Sequence, residues 1–392
     1  MKILYISDSY TQKGNSAAIR NNALVKGLIS LGHTVDVLTV KYPDRDISPY
    51  LQNGNIHYCE LWNWTARDKM AAAAKKNRIV DFLKAQYRAI RKVAVFPDLC
   101  YKWPSKINVA EYSDFDVIIS SSDNKTSHFV GKKIKQANPS THWLQIWGDP
   151  WYEDVNIKGV DKLRIPYYEK KILSLADKVV YISLPTAEFM KTKYPKFASK
   201  IFFVPRSYYN EYVYDVPEGD ERHIVYTGSI HAAYGRNMND LIKAVESYNQ
   251  KGNTKWMIDF YGFIDEQVKE SLASEFVSFH KGVDMNALGS IYENSNVLLY
   301  ISNKSSSTQI PGKLYDYLGT SSLVLCLVNN KTDGIATFIK GIGDKCYLVE
   351  NKEKAIADSL EELDALSLKP FAPCHEFSPE NIAGKIIEII EK

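Results

Sequence analysis

A lysine and an aspartate three residues apart, Lys313 and Asp316, follow a proline in the run Ile310-Pro311-Gly312-Lys313-Leu314-Tyr315-Asp316-Tyr317-Leu318-Gly319. The run reads as a loop opening a helix, and the spacing puts both side chains near its first turn, on one side. Pro311 is tolerated at a helix start because its missing N–H would have no helical partner there. Backbone N–H groups at such a terminus favour anions. A cation, an anion-favouring helix start and a carboxylate able to accept from hydroxyls suit a sugar nucleotide, with phosphate on one side and ribose on the other.

Strands must hold that helix in place, and the sequence supplies them. Residues 297–301 and 323–328 are continuous apolar runs on either side of it, as expected of central parallel strands covered on both faces. Upstream, the strand at 223–227 runs into Gly228-Ser229, a loop carries Arg236, and a helix is expected over 237–249. Residues 257–261 with Gly262, then 277–281 with Gly282, repeat the strand-and-glycine unit.

The first half has the same rhythm. Ile3 to Ile6 is a short strand, and a polar loop containing Gly14 and Asn15 leads to a helix with Ala18, Asn22, Val25 and Leu28 on one face. Gly32 closes that helix, and a strand over 35–40 follows. Residues 116–119 and 143–147 give further strands. The second runs into Gly148-Asp149-Pro150-Trp151, a turn that presents a carboxylate beyond a strand's carboxyl end, where ligands of such sheets bind. Asp149 is therefore a candidate to orient or deprotonate a hydroxyl. Strand–helix–strand order in both halves predicts an α/β protein with doubly wound parallel sheets.

These motifs resemble those of GT-B glycosyltransferases, in particular the retaining family 4 group. The 311–319 stretch is similar to their donor-binding signature, in which an acidic residue grips the ribose; Asp316 takes that place. The fuller signature has a second acidic residue eight positions earlier, where this chain has Thr308. The Gly14 loop and the Gly32-His33 pair resemble the glycine loop and Gly-His element after their first strand. The family usually places Gly-Arg after the strand equivalent to 223–227 and a Lys before the next helix; here Ser229 replaces the Arg, and Arg236 stands near the Lys.

The resemblance implies two Rossmann-like domains facing a central cleft, with the C-terminal helix crossing back to the first. The divisions expected are 1–205 for the acceptor domain with 377–392 packed on it, 206–222 as linker, and 223–376 for the nucleotide-sugar domain. The implied donor-binding residues are Gly14, Asn15, Gly228, Ser229, Arg236, Thr308, Pro311, Lys313, Leu314 and Asp316. Asp149, Arg236 and Lys313 are implied in catalysis, the two cations neutralising the departing diphosphate. The implied donor is a UDP- or GDP-linked sugar, and the partner that receives it a glycan or lipid-linked acceptor. No cofactor and no metal are implied, so the aspartates of Asp44-Arg45-Asp46 are read as a loop.

Composition sets the remaining bounds. A chain of 392 residues, 45% hydrophobic and 24% charged, is an ordinary globular protein long enough for two domains. A net charge of +3 does not point to nucleic acid. The five cysteines are scattered without a Cys-x-x-Cys, which argues against a zinc site or disulfide framework and fits a reducing cytoplasm. The apolar run at the N-terminus is too short for a signal peptide, and none elsewhere approaches the roughly 18 residues of a membrane span.

The 62–106 segment breaks the rhythm. Ile79, Leu83, Tyr87, Ile90 and Ala94 form an apolar stripe among many Lys and Arg residues, with Trp62, Trp64 and Trp103 beside them. Such a basic, Trp-flanked helix suits an anionic membrane surface, or packs its stripe into its own domain. Besides a peripheral glycosyltransferase, the residues leave open a sugar-nucleotide epimerase of the same fold and a non-catalytic partner subunit. A dehydrogenase is disfavoured by the absence of Gly-x-Gly-x-x-Gly after the first strand.

Overall fold

The computed structural model describes residues 1–12, 15–42, 54–61, 95–122, 124–153, 157, 159–230, 236–251, 254–303, 309–365 and 369–392. Gly14, Thr308, Asp44-Arg45-Asp46 and positions 62–94 of the basic segment lie outside them. The chain divides into two compact units. The first comprises Met1–Pro205 with Pro379–Lys392, and the second Arg206–Ser378.

Among the described residues, the first unit is built on seven parallel strands: β1 (Lys2–Ile6), β2 (Thr34–Val40), β3 (Ile56–Cys59), β4 (Val117–Ser122), β5 (His142–Trp147), β6 (Lys178–Tyr181) and β7 (Ile201–Phe203). Their order is β3-β2-β1-β4-β5-β6-β7. The order reverses between β1 and β4, the switch point at which ligands of doubly wound sheets bind. Strand alternation sends Ile3 and Tyr5 to one core and Leu4 and Ile6 to the other. That two-sided burial is why the run is apolar at every position.

Strand β4 runs further than its apolar residues, through Ser120, Ser121 and Ser122, which pair with Gln145, Ile146 and Trp147 of β5. Serine is affordable there because two of the buried hydroxyls have partners. The Trp143 indole N–H donates to Ser120 Oγ at 2.8 Å, and Ser121 Oγ donates to Asn21 Oδ1 at 2.8 Å.

The Ser16–Ser30 helix starts at Asn15, whose side chain accepts from Ala17 N at 2.8 Å, and the chain leaves it through Gly32 at φ 84°. Its Leu24, Val25 and Leu28 share a core with Ile382, Ala383, Ile386, Ile389 and Ile390 of the Pro379–Glu391 helix. The two helices approach closely at Gly27, where a Cβ would stand only 2.0 Å from the Pro379 carbonyl oxygen.

The second unit has, among its described residues, six parallel strands: β8 (Glu221–Thr227), β9 (Lys255–Tyr261), β10 (Val277–His280), β11 (Val297–Ile301), β12 (Leu323–Val328) and β13 (Cys346–Glu350). Their order is β10-β9-β8-β11-β12-β13, reversing between β8 and β11. All residues of β11 and β12 are buried, with cores on both faces.

Residues 206–222, expected as a linker, are packed into this unit. Tyr208 is buried in its core with Tyr212 and Tyr214 against it. Tyr208 N donates to Phe377 O at 3.2 Å, and Tyr212 N to Gly319 O at 2.8 Å. The segment has no strand or helix period because its tyrosines are spaced to fit pockets in a finished core. Among the described residues no helix is long and apolar enough to cross a membrane.

Candidate functional site

The carboxyl end of β8 gathers most of the expected residues. The strand stops at Gly228, whose φ of 154° lies in a region that side chains disfavour. Its N–H donates to Tyr261 O at 2.8 Å. The turn after β9 uses Gly262 at φ 142°, where a Cβ would come within 2.0 Å of Gly228 O. The two turns therefore touch backbone to backbone. A Cβ on Gly228 would in turn lie 3.3 Å from Lys313 Cε and 3.2 Å from the Tyr226 hydroxyl oxygen. Glycine here leaves bare backbone beneath the lysine stem, the kind of surface a phosphate can approach.

Arg236 is fixed across this end of the sheet. One guanidinium nitrogen donates to the Tyr226 hydroxyl at 2.6 Å and to Ser229 O at 3.1 Å, and Nε donates to Asn303 Oδ1 at 3.2 Å. Asn303 follows β11, so Arg236 ties the ends of β8 and β11, the strands flanking the reversal of order. Ser229 contributes through its carbonyl.

The expected helix forms over Lys313–Leu318, six residues only. So short a helix has little macrodipole, so less of any attraction for an anion comes from its N-terminus than the sequence suggests. Lys313 Nζ donates to Asp316 Oδ2 at 3.2 Å. Pro311 lies just before the helix, half-buried. Leu314 is fully buried in the core, so any part it takes in ligand contact falls to its backbone.

Two residues that sequence reading missed hold the helix down. The Tyr317 hydroxyl accepts from Thr227 N at 2.9 Å, pinning the helix to the end of β8. Burial pushes this hydroxyl's pKa up, so it stays a neutral partner. At the other end, buried Lys345 donates to the carbonyls of Leu318, Thr320 and Ala372. Burial lowers its pKa to about 8, which leaves it mostly protonated at neutral pH and able to satisfy those carbonyls.

A third missed residue is Arg206. Its terminal nitrogen stands 3.5 Å from Asp316 Oδ1, and its guanidinium lies 6.0 Å from the Tyr315 ring centre. Its partner is 110 residues away in the chain, and no local pattern announces such a pair. Arg206 and Lys313 thus flank one carboxylate, Asp316. Lys313 and Arg236, the latter through Tyr226, stand by the Gly228 turn, an arrangement that favours an anion there.

Two of the described candidates belong to the first unit. Asn15 is engaged in capping: besides its bond from Ala17 N, its amide donates to Gln12 Oε1 at 2.6 Å. Asp149 lies half-buried in the turn after β5. A Cβ on neighbouring Gly148 would lie 3.0 Å from a guanidinium nitrogen of Arg20, which also donates to Ser121 Oγ and Ser122 O at 3.3 Å each. Just beyond, buried Glu169 accepts from Trp151 N at 2.8 Å, Tyr152 N at 3.0 Å and the Tyr194 hydroxyl at 2.7 Å. The Asp149 turn is thereby held on a fixed base. Among the described residues, no group of His, Cys, Asp and Glu is arranged to hold a metal ion.

No family model matches the chain, and no curated protein does. Solved structures do resemble it along its whole length. The lipopolysaccharide outer core galactosyltransferase WaaB in its apo form aligns at a TM-score of 0.56 and 13% identity, covering 100% of this chain and 99% of that one. Sucrose-phosphate synthase from Thermosynechococcus elongatus aligns at 0.55 and 18% identity, covering 100% and 95%. A Listeria monocytogenes protein described as a candidate UDP-N-acetylglucosamine 2-epimerase aligns at 0.56 and 14% identity, again covering 100% and 95%. With two parallel α/β sheets and whole-length similarity to these structures, the chain has the GT-B fold.

Proposed function

We propose that this protein is a glycosyltransferase that takes a sugar from a UDP- or GDP-linked donor and passes it to a glycan or lipid-linked acceptor. One observation carries the reading: Lys313 and Asp316 are hydrogen-bonded to each other beside the bare backbone of Gly228, with Arg236 fixed alongside through Tyr226. Lys313 and Arg236 then face the diphosphate and neutralise it as it departs, the larger electrostatic task in glycosyl transfer. Asp316 accepts from the ribose hydroxyls. Asp149 orients the acceptor hydroxyl or removes its proton. The reaction retains anomeric configuration and draws its charge stabilisation from these side chains. In this reading the enzyme works in the cytoplasm, at the inner face of the membrane when its acceptor is lipid-linked.

The test is thermal stabilisation by UDP, GDP and their sugar conjugates, with Asp316→Ala beside the parent protein. A ligand that binds only the folded state raises the melting temperature, by about 2.7 kcal/mol of stability at a hundredfold excess over its Kd. The expected result is a shift with one nucleotide series that Asp316→Ala loses. No shift in a folded sample would remove the donor site and leave the non-catalytic subunit.

The likeness to the Listeria monocytogenes structure supports a second reading, a sugar-nucleotide epimerase. Product analysis separates the two. An epimerase interconverts sugar nucleotides with no acceptor present, whereas a transferase releases nucleoside diphosphate in proportion to acceptor glycosylated.

A further inference from the structure

We propose that Arg206 is a positioning residue for Asp316, keeping that carboxylate aimed at the ribose when Lys313 turns to the diphosphate. The proposal rests on the nucleotide-binding reading above.

The two oxygens of Asp316 have different cationic partners. Oδ1 faces Arg206 at 3.5 Å, and Oδ2 accepts from Lys313 at 3.2 Å. The partners differ in freedom. The Lys313 side chain is 26% exposed, on a flexible stem passing Gly228, whereas the Arg206 side chain is 4% exposed. Arg206 is also followed by buried Ser207 and by Tyr208, which is anchored in the core of the second unit. A lysine can swing from one anion to another, and a buried guanidinium cannot.

A diphosphate arriving over Gly228 competes with Asp316 for Lys313. If Lys313 were its sole cation, Asp316, with a side chain 16% exposed, would be left as a largely buried carboxylate that has lost its countercharge. Such a group turns away to find another partner. Arg206 prevents this. It holds Oδ1 in place, and Oδ2, released by Lys313, becomes the acceptor for a ribose hydroxyl. Ligand binding is then an exchange of partners at Oδ2, with the pair at Oδ1 unchanged.

Isothermal titration of the full chain tests this, with UDP and GDP, their 2′,3′-dideoxy counterparts and inorganic pyrophosphate as probes. The variants are Arg206→Met, Arg206→Lys, Asp316→Asn and the Arg206→Met/Asp316→Asn double. The expected result is a loss of about tenfold or more for the ribonucleotide in Arg206→Met. Its affinity for the dideoxy nucleotide and for pyrophosphate should stay at the parent value, and Arg206→Lys should recover part of the loss. The double variant should lose no more than the worse single, the mark of two residues acting as one unit. Should Arg206→Met fail to fold, the ribo-against-dideoxy comparison is made on Arg206→Lys, with the same selective but smaller loss expected. Equal losses on ribose, dideoxy and pyrophosphate probes would overturn positioning in favour of direct phosphate contact or general support. Unchanged affinities throughout would also overturn it. Absence of binding by the parent protein would instead overturn the nucleotide reading, and this proposal with it.

Discussion

Gly262 and Gly228 show how single residues set the candidate site. Each has a backbone angle that strains a side chain, but their surroundings differ. A methyl group on Gly262 would collide with the Gly228 backbone at 2.0 Å, while one on Gly228 would meet the flexible end of Lys313 at 3.3 Å. Gly262→Ala should therefore cost roughly 3 kcal/mol or more and displace the β8 turn, whereas Gly228→Ala costs about 1–2 kcal/mol of backbone strain. Gly384 is the contrast: it lies inside a helix with nothing within 4 Å of its would-be Cβ, so Gly384→Ala should stabilise by about 0.5–1 kcal/mol. Urea unfolding of the three variants checks the order; a Gly262→Ala protein as stable as the parent would refute it. At this scale the sequence was readable where chemistry is local. Lys313 and Asp316 stand in one helical turn, and their spacing predicts the bond between them. Arg206 and Lys345 act on partners remote in sequence, and only the completed sheet brings them to the site.

Among the elements, neighbouring strands of the second unit share a polar ladder. Asp259 of β9 accepts from His223 Nδ1 of β8 at 2.7 Å and from His280 Nε2 of β10 at 2.8 Å, while Glu221 flanks His223. Burial tends to raise the Asp259 pKa, but the two imidazole bonds outweigh it and leave the carboxyl below its ordinary value. The bond to Asp259 raises the His223 pKa above its ordinary value, against the opposing effect of burial. A lowered carboxylate adds stability above its unfolded pKa and loses it as pH falls through the folded one. A raised histidine adds stability below its unfolded pKa and loses it as pH rises through the folded one. The ladder therefore contributes most between about pH 4 and about pH 6.5. Because His223 is partly in water, its share is about 1 kcal/mol at most. Melting measured from pH 6 to pH 8.5 should show the parent losing that increment while Asp259→Asn stays flatter; parallel profiles would exclude the ladder as the cause. The apolar strands were legible from their runs, β11 and β12 above all. The Asp161–Leu175 helix was not, because Pro166 lies inside it and Leu163 and Tyr167 face solvent, which blurs its stripe.

For the molecule as a whole, the division of the chain matters more than its length. The second unit is continuous and has its own cores on both faces of its sheet. A fragment spanning 206–378 should therefore fold alone, with one cooperative melting transition. The first unit is discontinuous, and its core includes Ile382, Ile386, Ile389 and Ile390 from the far end of the chain. Cutting the chain after Ser378 should expose the partners of those side chains in the Ser16–Ser30 helix and destabilise the first unit, while the second keeps its transition. Hydrogen exchange resolved by segment distinguishes the two, and equal loss of protection in both units would contradict the prediction.

The close approach at Gly27 also has a meaning in time. Ribosomes deliver the Pro379–Glu391 helix only after every residue of the second unit has been made, so the apolar face awaiting it on the first unit stands open throughout that interval. The early part of the chain is held incomplete until its late part arrives, and the unit that was made first is the last to close its core.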